Sequence, residues 1–246
     1  CPESFYVEHE TGRRDIGNTV EHSLGYFYVQ EAVSMVPPLA LDVKPGMKVL
    51  DMCAAPGSKT SQIAMMMKGE GVLIANDYKG QRLSSLGINL QRCGVSNAII
   101  TLMRGESFKK YSEEFDRVLV DAPCSGTGTI RKSLKTLRIW NPNMVRKLAV
   151  QQLRLLETGF ECLKPGGIVV YSTCSLEPEE DEGVISKFLE KHPNAKVEKI
   201  KLKGLKHGPA VVDFDGNDYS LAKSTLRIWP QDNDTEGFFV AKIHKL

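Results

Sequence analysis

Residues 117–129 read RVLVDAPCSGTGT. An apolar run up to Asp121, followed by the turn-forming Pro123, Ser125, Gly126 and Gly128, predicts a buried parallel strand that opens into a loop. In an open α/β sheet ligands bind where strands end, so Asp121, Pro123 and Cys124 are expected to face a pocket. Residues 166–175, GGIVVYSTCS, repeat the pattern and deliver Cys174 at a second strand end. A lone free cysteine is often inert core filling. Two of them at two strand ends are hard to explain that way and point to paired reactive thiols.

Upstream, KVLDM (48–52) predicts a strand, CAAPGSKT (53–60) a loop of small residues, and SQIAMMM (61–67) a helix. Small residues between a strand and a helix let the backbone approach a ligand at the helix amino end. VLIAND (72–77) predicts the next strand, with Asp77 at its end. An acid there, about twenty residues after the glycine turn, is the ribose-binding arrangement of Rossmann-like sites. There is no G-x-G-x-x-G, and Gly57-Ser58-Lys59-Thr60 does not meet the phosphate-loop pattern. A nucleoside-bearing cofactor without a long phosphate chain fits better, S-adenosylmethionine being the obvious one.

Further elements alternate along the chain. A helix is expected over 30–41, ended or kinked by Pro37 and Pro38, then a helix from Arg82 to Cys93 and a strand at 98–103. From Val145 to Leu163, the residues Ala149, Leu153, Leu156, Phe160 and Leu163 form one apolar helical face. The five carboxylates between Glu177 and Glu182 are expected to open a helix running to His192, where they suit the macrodipole. Strand 196–200, an irregular tract over 201–236 and strand 237–243 complete the pattern. It predicts an α/β fold with a mostly parallel, seven-stranded, doubly wound sheet whose last strand is antiparallel. Residues 1–30, with Gly12, Gly17 and Gly25, show no sustained period and read as an irregular N-terminal extension to a folded domain over 31–246.

At 246 residues, with 41% hydrophobic and 25% charged residues, the chain suits one large globular domain. Six cysteines without a C-x-x-C pair suggest neither a metal site nor a disulfide framework, and a reducing, cytoplasmic compartment fits. No apolar run is long enough to span a bilayer. The chain begins at Cys1, so an upstream segment is expected to have been removed. The net charge of +2 hides an asymmetry. Between Asp121 and Glu157 no acid occurs, whereas Arg131, Lys132, Lys135, Arg138, Arg146, Lys147 and Arg154 all do. A second tract carries Lys196, Lys199, Lys201, Lys203 and Lys206. Charge runs are usually solvated faces, but one that begins at the cysteine loop points to a polyanion such as nucleic acid.

Paired thiols, an acid and a methyl-donor cofactor suit one chemistry in particular. Carbon 5 of cytosine is not nucleophilic until a thiolate adds at carbon 6 and makes the ring an enamine. An acid or its hydrogen bond near ring nitrogen 3 assists the addition, and a base then removes the carbon 5 proton. Asp121 is expected at the ring, one cysteine at carbon 6, and the other in expelling the first. The base must leave its stack to be enclosed, which favours single-stranded or loop RNA between basic walls. Methylation of an exocyclic amine needs no thiol and ranks second.

LDMCAAPGSKT (50–60), VDAPCSGTG (120–128) and YSTCSLEPEEDE (171–182), with RIWP (227–230) and GFFVAKI (237–243), closely resemble the Nop/Sun family of RNA 5-methylcytosine methyltransferases. The resemblance implies a Rossmann-like S-adenosylmethionine-dependent methyltransferase domain over 31–246, with residues 1–30 an extension or the tail of a missing RNA-binding domain. It implies Cys174 as nucleophile, Cys124 as release cysteine, and Asp121 with Lys59 holding the cytosine. Cys53, Ala54, Ala55, Pro56, Gly57, Lys59, Asp77, Arg82 and Asp121 would line the cofactor pocket, with Glu106 in RGES the nearest acid to a further adenine contact. The partner would be RNA, transfer RNA ahead of ribosomal RNA, with no metal, no membrane and a monomeric chain. Ser58 stands where the family usually has glycine, and Gln231 follows RIWP where it often has His-Arg-His. A non-catalytic RNA-binding or assembly factor on the same scaffold is the alternative from another class.

Overall fold

The structure, a computed structural model, describes residues 4–7 and 15–246. Cys1 and Gly12 of the expected extension lie outside the described residues. The strands are β1 Lys48–Asp51, β2 Val72–Asp77, β3 Ala98–Leu102, β4 Phe115–Asp121, β5 Leu163–Thr173, β6 Ala195–Glu198, β7 Asp213–Phe214, β8 Asn217–Asp218, β9 Leu226–Ile228 and β10 Phe238–Lys245. The helices are α1 Val20–Ser23, α2 Val36–Leu41, α3 Ser58–Met67, α4 Gly80–Arg92, α5 Lys135–Ile139, α6 Pro142–Glu161, α7 Glu182–Lys191 and α8 Pro230–Asn233.

The main sheet runs β3-β2-β1-β4-β5-β10-β6, with β9 also paired to β10. Strands β1 to β5 run parallel to one another, and β10 runs antiparallel to β5, β6 and β9. The antiparallel last strand matches the expected fold class, while short β9 makes the sheet eight-stranded among the described residues rather than seven. The chain goes from β1 outward to β2 and β3, then returns to lay β4 on the other side of β1. The crevice at such a reversal opens at the carboxyl ends of β1 and β4.

Alternation along the central strands builds two cores. Val118 and Val120 of β4, with Val169 and Tyr171 of β5, pack against Leu155, Leu156 and Phe160 of α6 and Val184, Ile185 and Phe188 of α7. Leu119, Ile168 and Val170 face the other way, onto Val36, Ala40 and Leu41 of α2 and Ile63, Ala64 and Met67 of α3. Each such side chain contributes roughly 1.5–3 kcal/mol when fully buried. Burial on both faces is what makes β4 and β5 read as continuous apolar runs.

Three expectations need correction. Pro37 and Pro38 do not end a helix over 30–41: a 3-10 turn occupies Ala32–Met35 and α2 starts at Val36. A first helical turn has no use for the N–H that proline lacks, so both prolines fit there. The tract over 201–236 is not all irregular, since it holds the β7–β8 hairpin, β9 and α8. The five carboxylates do not open the helix either, because only Glu182 lies in the first turn of α7, and Glu180, Asp181 and Glu182 are 0% exposed.

Asp181 and Glu182 are held by Arg227 of β9, itself 0% exposed. It donates to Asp181 Oδ2 at 3.0 Å, to Glu182 Oε1 at 3.0 Å and to the carbonyl of Leu176 at 3.0 Å. Its guanidinium also lies 5.1 Å from the Trp229 ring and 5.8 Å from that of Phe239. Burial pushes the Asp181 carboxyl well above the ordinary range, and Arg227 pulls against that shift. Removing one partner of a buried ion cluster leaves charge uncompensated. Arg227→Met is therefore expected to lower the unfolding free energy by about 3–5 kcal/mol, read as a fall in the urea midpoint. An unchanged midpoint would show that the cluster contributes nothing to stability.

Candidate active site

Two loops meet at the crevice. The first leaves β1 at Asp51 and enters α3 through the small residues Ala54 and Ala55, both buried, Pro56 and Gly57. Gly57 has φ of 108°, and a Cβ there would sit 3.1 Å from Leu86 Cδ1, so only glycine makes this turn against α4. Thr60 on α3 donates to Asp51 Oδ2 at 2.7 Å, and the Ala54 amide donates to the Asn76 carbonyl at 2.7 Å. Asp77, 1% exposed, ends β2; it accepts from the Lys79 amide at 2.9 Å and pairs with Arg82 Nη1 at 3.1 Å. Arg82 also donates to the Ala55 carbonyl. The structure thus brings Ala55, Asp77 and Arg82 together as the sequence predicts. Asn76 ties the same strand ends, donating to the Met52 and Met103 carbonyls. Half-buried Glu106 follows in the 3-10 turn Gly105–Tyr111.

Asp51 escaped the sequence reading. Burial raises its carboxyl to about 7, and its Oδ1 is buried with no hydrogen-bond partner among the described residues. Its signal was available, since it ends β1 as Asp77 ends β2. A buried, unsatisfied acceptor beside a small-residue loop, with a second buried acid at the next strand end, fits a ligand carrying an ammonium and ribose hydroxyls. S-adenosylmethionine carries both.

The second loop joins β4 to α5 and lies beside the end of β5. Register pairs Asp121 with Ser172, and Ser172 Oγ donates to Asp121 Oδ1 at 2.7 Å. Lys59 Nζ reaches across from α3 to Asp121 Oδ2 at 2.8 Å. Burial pushes the Lys59 ammonium toward losing its proton, but Asp121 wins and holds its pKa above the ordinary lysine value. Beyond these groups the sulfurs of Cys124 and Cys174 stand 3.3 Å apart, within hydrogen-bond distance. Their proton affinities diverge. The Cys174 contact and burial push Cys124 well up, whereas the hydrogen bond from Cys124 brings Cys174 below the ordinary thiol value despite its burial, with help from Lys59. Cys53, half-buried under the β1 loop, is pushed well up by burial. Gly128 fastens the arrangement: its amide donates to the Cys174 carbonyl at 2.9 Å, and a Cβ there would lie 2.3 Å from the Gly237 carbonyl.

Past the thiols the loop rises into α5, whose surroundings are basic and apolar together. Leu134 is 67%, Leu137 58% and Trp140 42% exposed, and Arg131, Lys132, Lys135 and Arg138 are exposed beside them. Trp140 Nε1 donates to Glu177 Oε1 at 3.0 Å, which ties this rim to the Cys174 side. Arg131 pairs with Asp234, but Lys135 and Arg138 make no ion pair among the described residues. The second basic tract lies apart, exposed on edge strand β6 and the chain after it. No group of three or more metal-binding side chains converges among the described residues, and no described helix is long and apolar enough to cross a membrane.

Comparison with known proteins agrees with this geometry. Residues 38–244 match the family model described as 16S rRNA methyltransferase RsmB/F. A tRNA (cytosine(49)-C(5))-methyltransferase from Pyrococcus abyssi is 47% identical over 244 residues, covering 99% of this chain and 77% of that protein. Ribosomal RNA small subunit methyltransferase F from Vibrio vulnificus is 43% identical over 250 residues, and there the chain spans 51% of the relative. Among solved structures, a methyltransferase homolog from Pyrococcus horikoshii superposes with a TM-score of 0.80 at 43% identity, over 94% of this chain and 72% of that one. NSun6 from the same organism, solved with SFG, gives 0.81 at 30% identity over 94% and 56%. The chain belongs to the RsmB/F family of S-adenosylmethionine-dependent RNA methyltransferases, the Nop/Sun group whose motifs its two cysteine loops resemble.

Proposed function

We propose that this chain methylates carbon 5 of a cytosine in RNA, with transfer RNA the favoured substrate. The observation that carries this reading is the pair of sulfurs 3.3 Å apart with opposed proton affinities, beside the Lys59–Asp121 pair. S-adenosylmethionine, when bound by Asp51, Asp77 and the 53–57 loop, supplies an electrophilic methyl group. Cys174, the thiol that ionises more readily, adds its sulfur to carbon 6 of the ring. Asp121 with Lys59 holds the polar edge at nitrogen 3 and offsets the charge that develops there. Once carbon 5 carries its methyl, its proton goes to a base, the carbon 5–carbon 6 double bond re-forms and the carbon–sulfur bond breaks. Cys124, kept protonated, donates its S–H hydrogen bond to the departing Cys174 sulfur. Preference for transfer RNA rests on the Pyrococcus abyssi relative, of which the chain spans more than it does of the ribosomal enzymes. A monomer suffices for every step.

Nucleoside mass spectrometry of unmodified transfer and ribosomal RNA, incubated with protein and S-adenosylmethionine, tests the reaction. The expected outcome is 5-methylcytidine in the transfer RNA fraction, lost with Cys174→Ala. Cys124→Ala is expected instead to accumulate a protein–RNA adduct on denaturing gels. Methylated product that survives replacement of both thiols would overturn the thiol mechanism. Because the hydrogen bond from Cys124 lowers Cys174, the acid limb of the pH–rate profile is expected to move to higher pH in Cys124→Ala.

The basic, apolar rim suits an unstacked RNA segment, its cations taking phosphates and Trp140 offering a face to a base. Lys135→Ala with Arg138→Ala is expected to raise KM for RNA and leave kcat nearly unchanged. The slope of log affinity against log salt should fall in magnitude by about 0.7 for each phosphate that is no longer neutralised. An unaltered slope would remove this rim from the RNA path.

A further inference from the structure

Beneath the two sulfurs lies a carboxylate that the reaction above does not use. Glu180 is 0% exposed. Its carboxylate accepts from four donors: the Ser125 amide at 3.0 Å, the Ser125 hydroxyl, the Ser175 hydroxyl at 2.6 Å and Gln152 Nε2 at 2.9 Å. Ser125 follows Cys124 and Ser175 follows Cys174, so one side chain grips the residue next to each thiol. The two serine hydroxyls also touch each other at 3.0 Å. Gln152, on α6, donates to the Pro123 carbonyl at 2.9 Å as well, and so holds the Cys124 loop from its other side. Glu180 is anchored in turn, since the Tyr171 hydroxyl donates to its carbonyl at 2.6 Å and Asp181 beside it is bound by Thr173 and Arg227.

We propose that Glu180 is a positioning residue that sets the distance between the Cys124 and Cys174 sulfurs and keeps the shared proton on Cys124. This inference rests on the two-thiol reading above. A carboxylate can accept from all four donors, whereas an amide would turn its own NH₂ toward a serine hydroxyl, the Ser125 amide or Gln152. A purely structural glue would not need its donors to flank both reactive residues. Charged groups face both thiols: at Cys174, Asp121 from β4 and Glu236 before β10 oppose ionisation while Lys59 from α3 favours it, and at Cys124 Glu180 opposes ionisation. Losing the clamp removes the donor that lowers Cys174 and the charge that raises Cys124, so their proton affinities converge.

The test uses iodoacetamide on the whole chain without RNA or cofactor, with peptide mass spectrometry reading the alkylation rates of Cys124 and Cys174 from pH 6 to 10. In the unaltered protein Cys174 is expected to react about tenfold faster than Cys124 near pH 7.5, following its larger thiolate fraction. In Glu180→Gln that ratio should fall to roughly twofold or less, as the two pH midpoints approach each other. Ser175→Ala retains three of the four donors, so it should fold normally and move the ratio in the same direction by less. Circular dichroism verifies the fold of each variant. A folded Glu180→Gln or Ser175→Ala protein with the unaltered ratio would overturn the proposal, whatever its methyl transfer. Absence of methyl transfer in the unaltered protein, with the ratio still shifting in the variants, would sink the reaction assigned above and leave the clamp standing.

Discussion

Three consecutive acids, Glu180, Asp181 and Glu182, are wholly buried at the junction between β5 and α7, and the rest of the structure is arranged around keeping them there. Ionised carboxylates in a protein interior are tolerated only when paired and hydrogen-bonded. Among the described residues the donors come from six places: Ser125 after β4, Gln152 on α6, Thr173 at the end of β5, Ser175 just after it, the Val211 amide ahead of β7, and Arg227 on β9. The pairing of β4 with β5 already sets Ser125 near Thr173 and Ser175, and the acids add Gln152 and Arg227, so the loops that carry the thiols are fixed to the same point as α6 and the start of α7.

The sheet supplies the complementary constraint. Its order reverses between β1 and β4, so the ends of β1, β2, β4 and β5 open onto one crevice. Asp51, Asp77, Asp121 and Cys174 are each the last residue of a strand or its immediate successor. The fold thus collects four reactive or charged side chains without any loop longer than the small-residue turns that follow them. Lys59, 9% exposed on α3, bridges the halves of the crevice by pairing with Asp121.

Much of this was legible in the chain. Strands buried on both faces announce themselves as continuous apolar runs, which is why β4 and β5, and the residues at their ends, could be read directly. Asp77 and the 53–57 loop followed from strand-end placement alone, and Asp51 would have followed from the same rule. Other features had no local signature. The run EPEEDE reads as a helix start whose acids suit the macrodipole, and its true surroundings depend in part on Arg227, which lies 45 residues from Glu182. Pro37 and Pro38 misled for a related reason: a proline pair marks a helix boundary without saying which end it marks. Ser172 meets Asp121 only through the register of β4 on β5, a relation that no spacing within either segment contains.

That register also sharpens the question of how two cysteines so alike in sequence come to differ. Each follows a central parallel strand, each precedes a serine, and the strands are adjacent. Symmetry of position would give them equal proton affinities and so neither a good nucleophile nor a good proton donor. What breaks the symmetry first is the hydrogen bond between the sulfurs, which lowers Cys174 and raises Cys124; charge adds to it. Cys124 shares its surroundings with buried Glu180, which penalises a thiolate, whereas Cys174 has Lys59 near it and Cys124 as a donor. With one proton between sulfurs 3.3 Å apart, a modest difference in field is enough to decide which sulfur keeps it. The proposed division of labour, with Cys174 attacking and Cys124 assisting its departure, therefore rests on the sulfur–sulfur hydrogen bond, with Lys59 near Cys174 and Glu180 near Cys124 both acting in its favour.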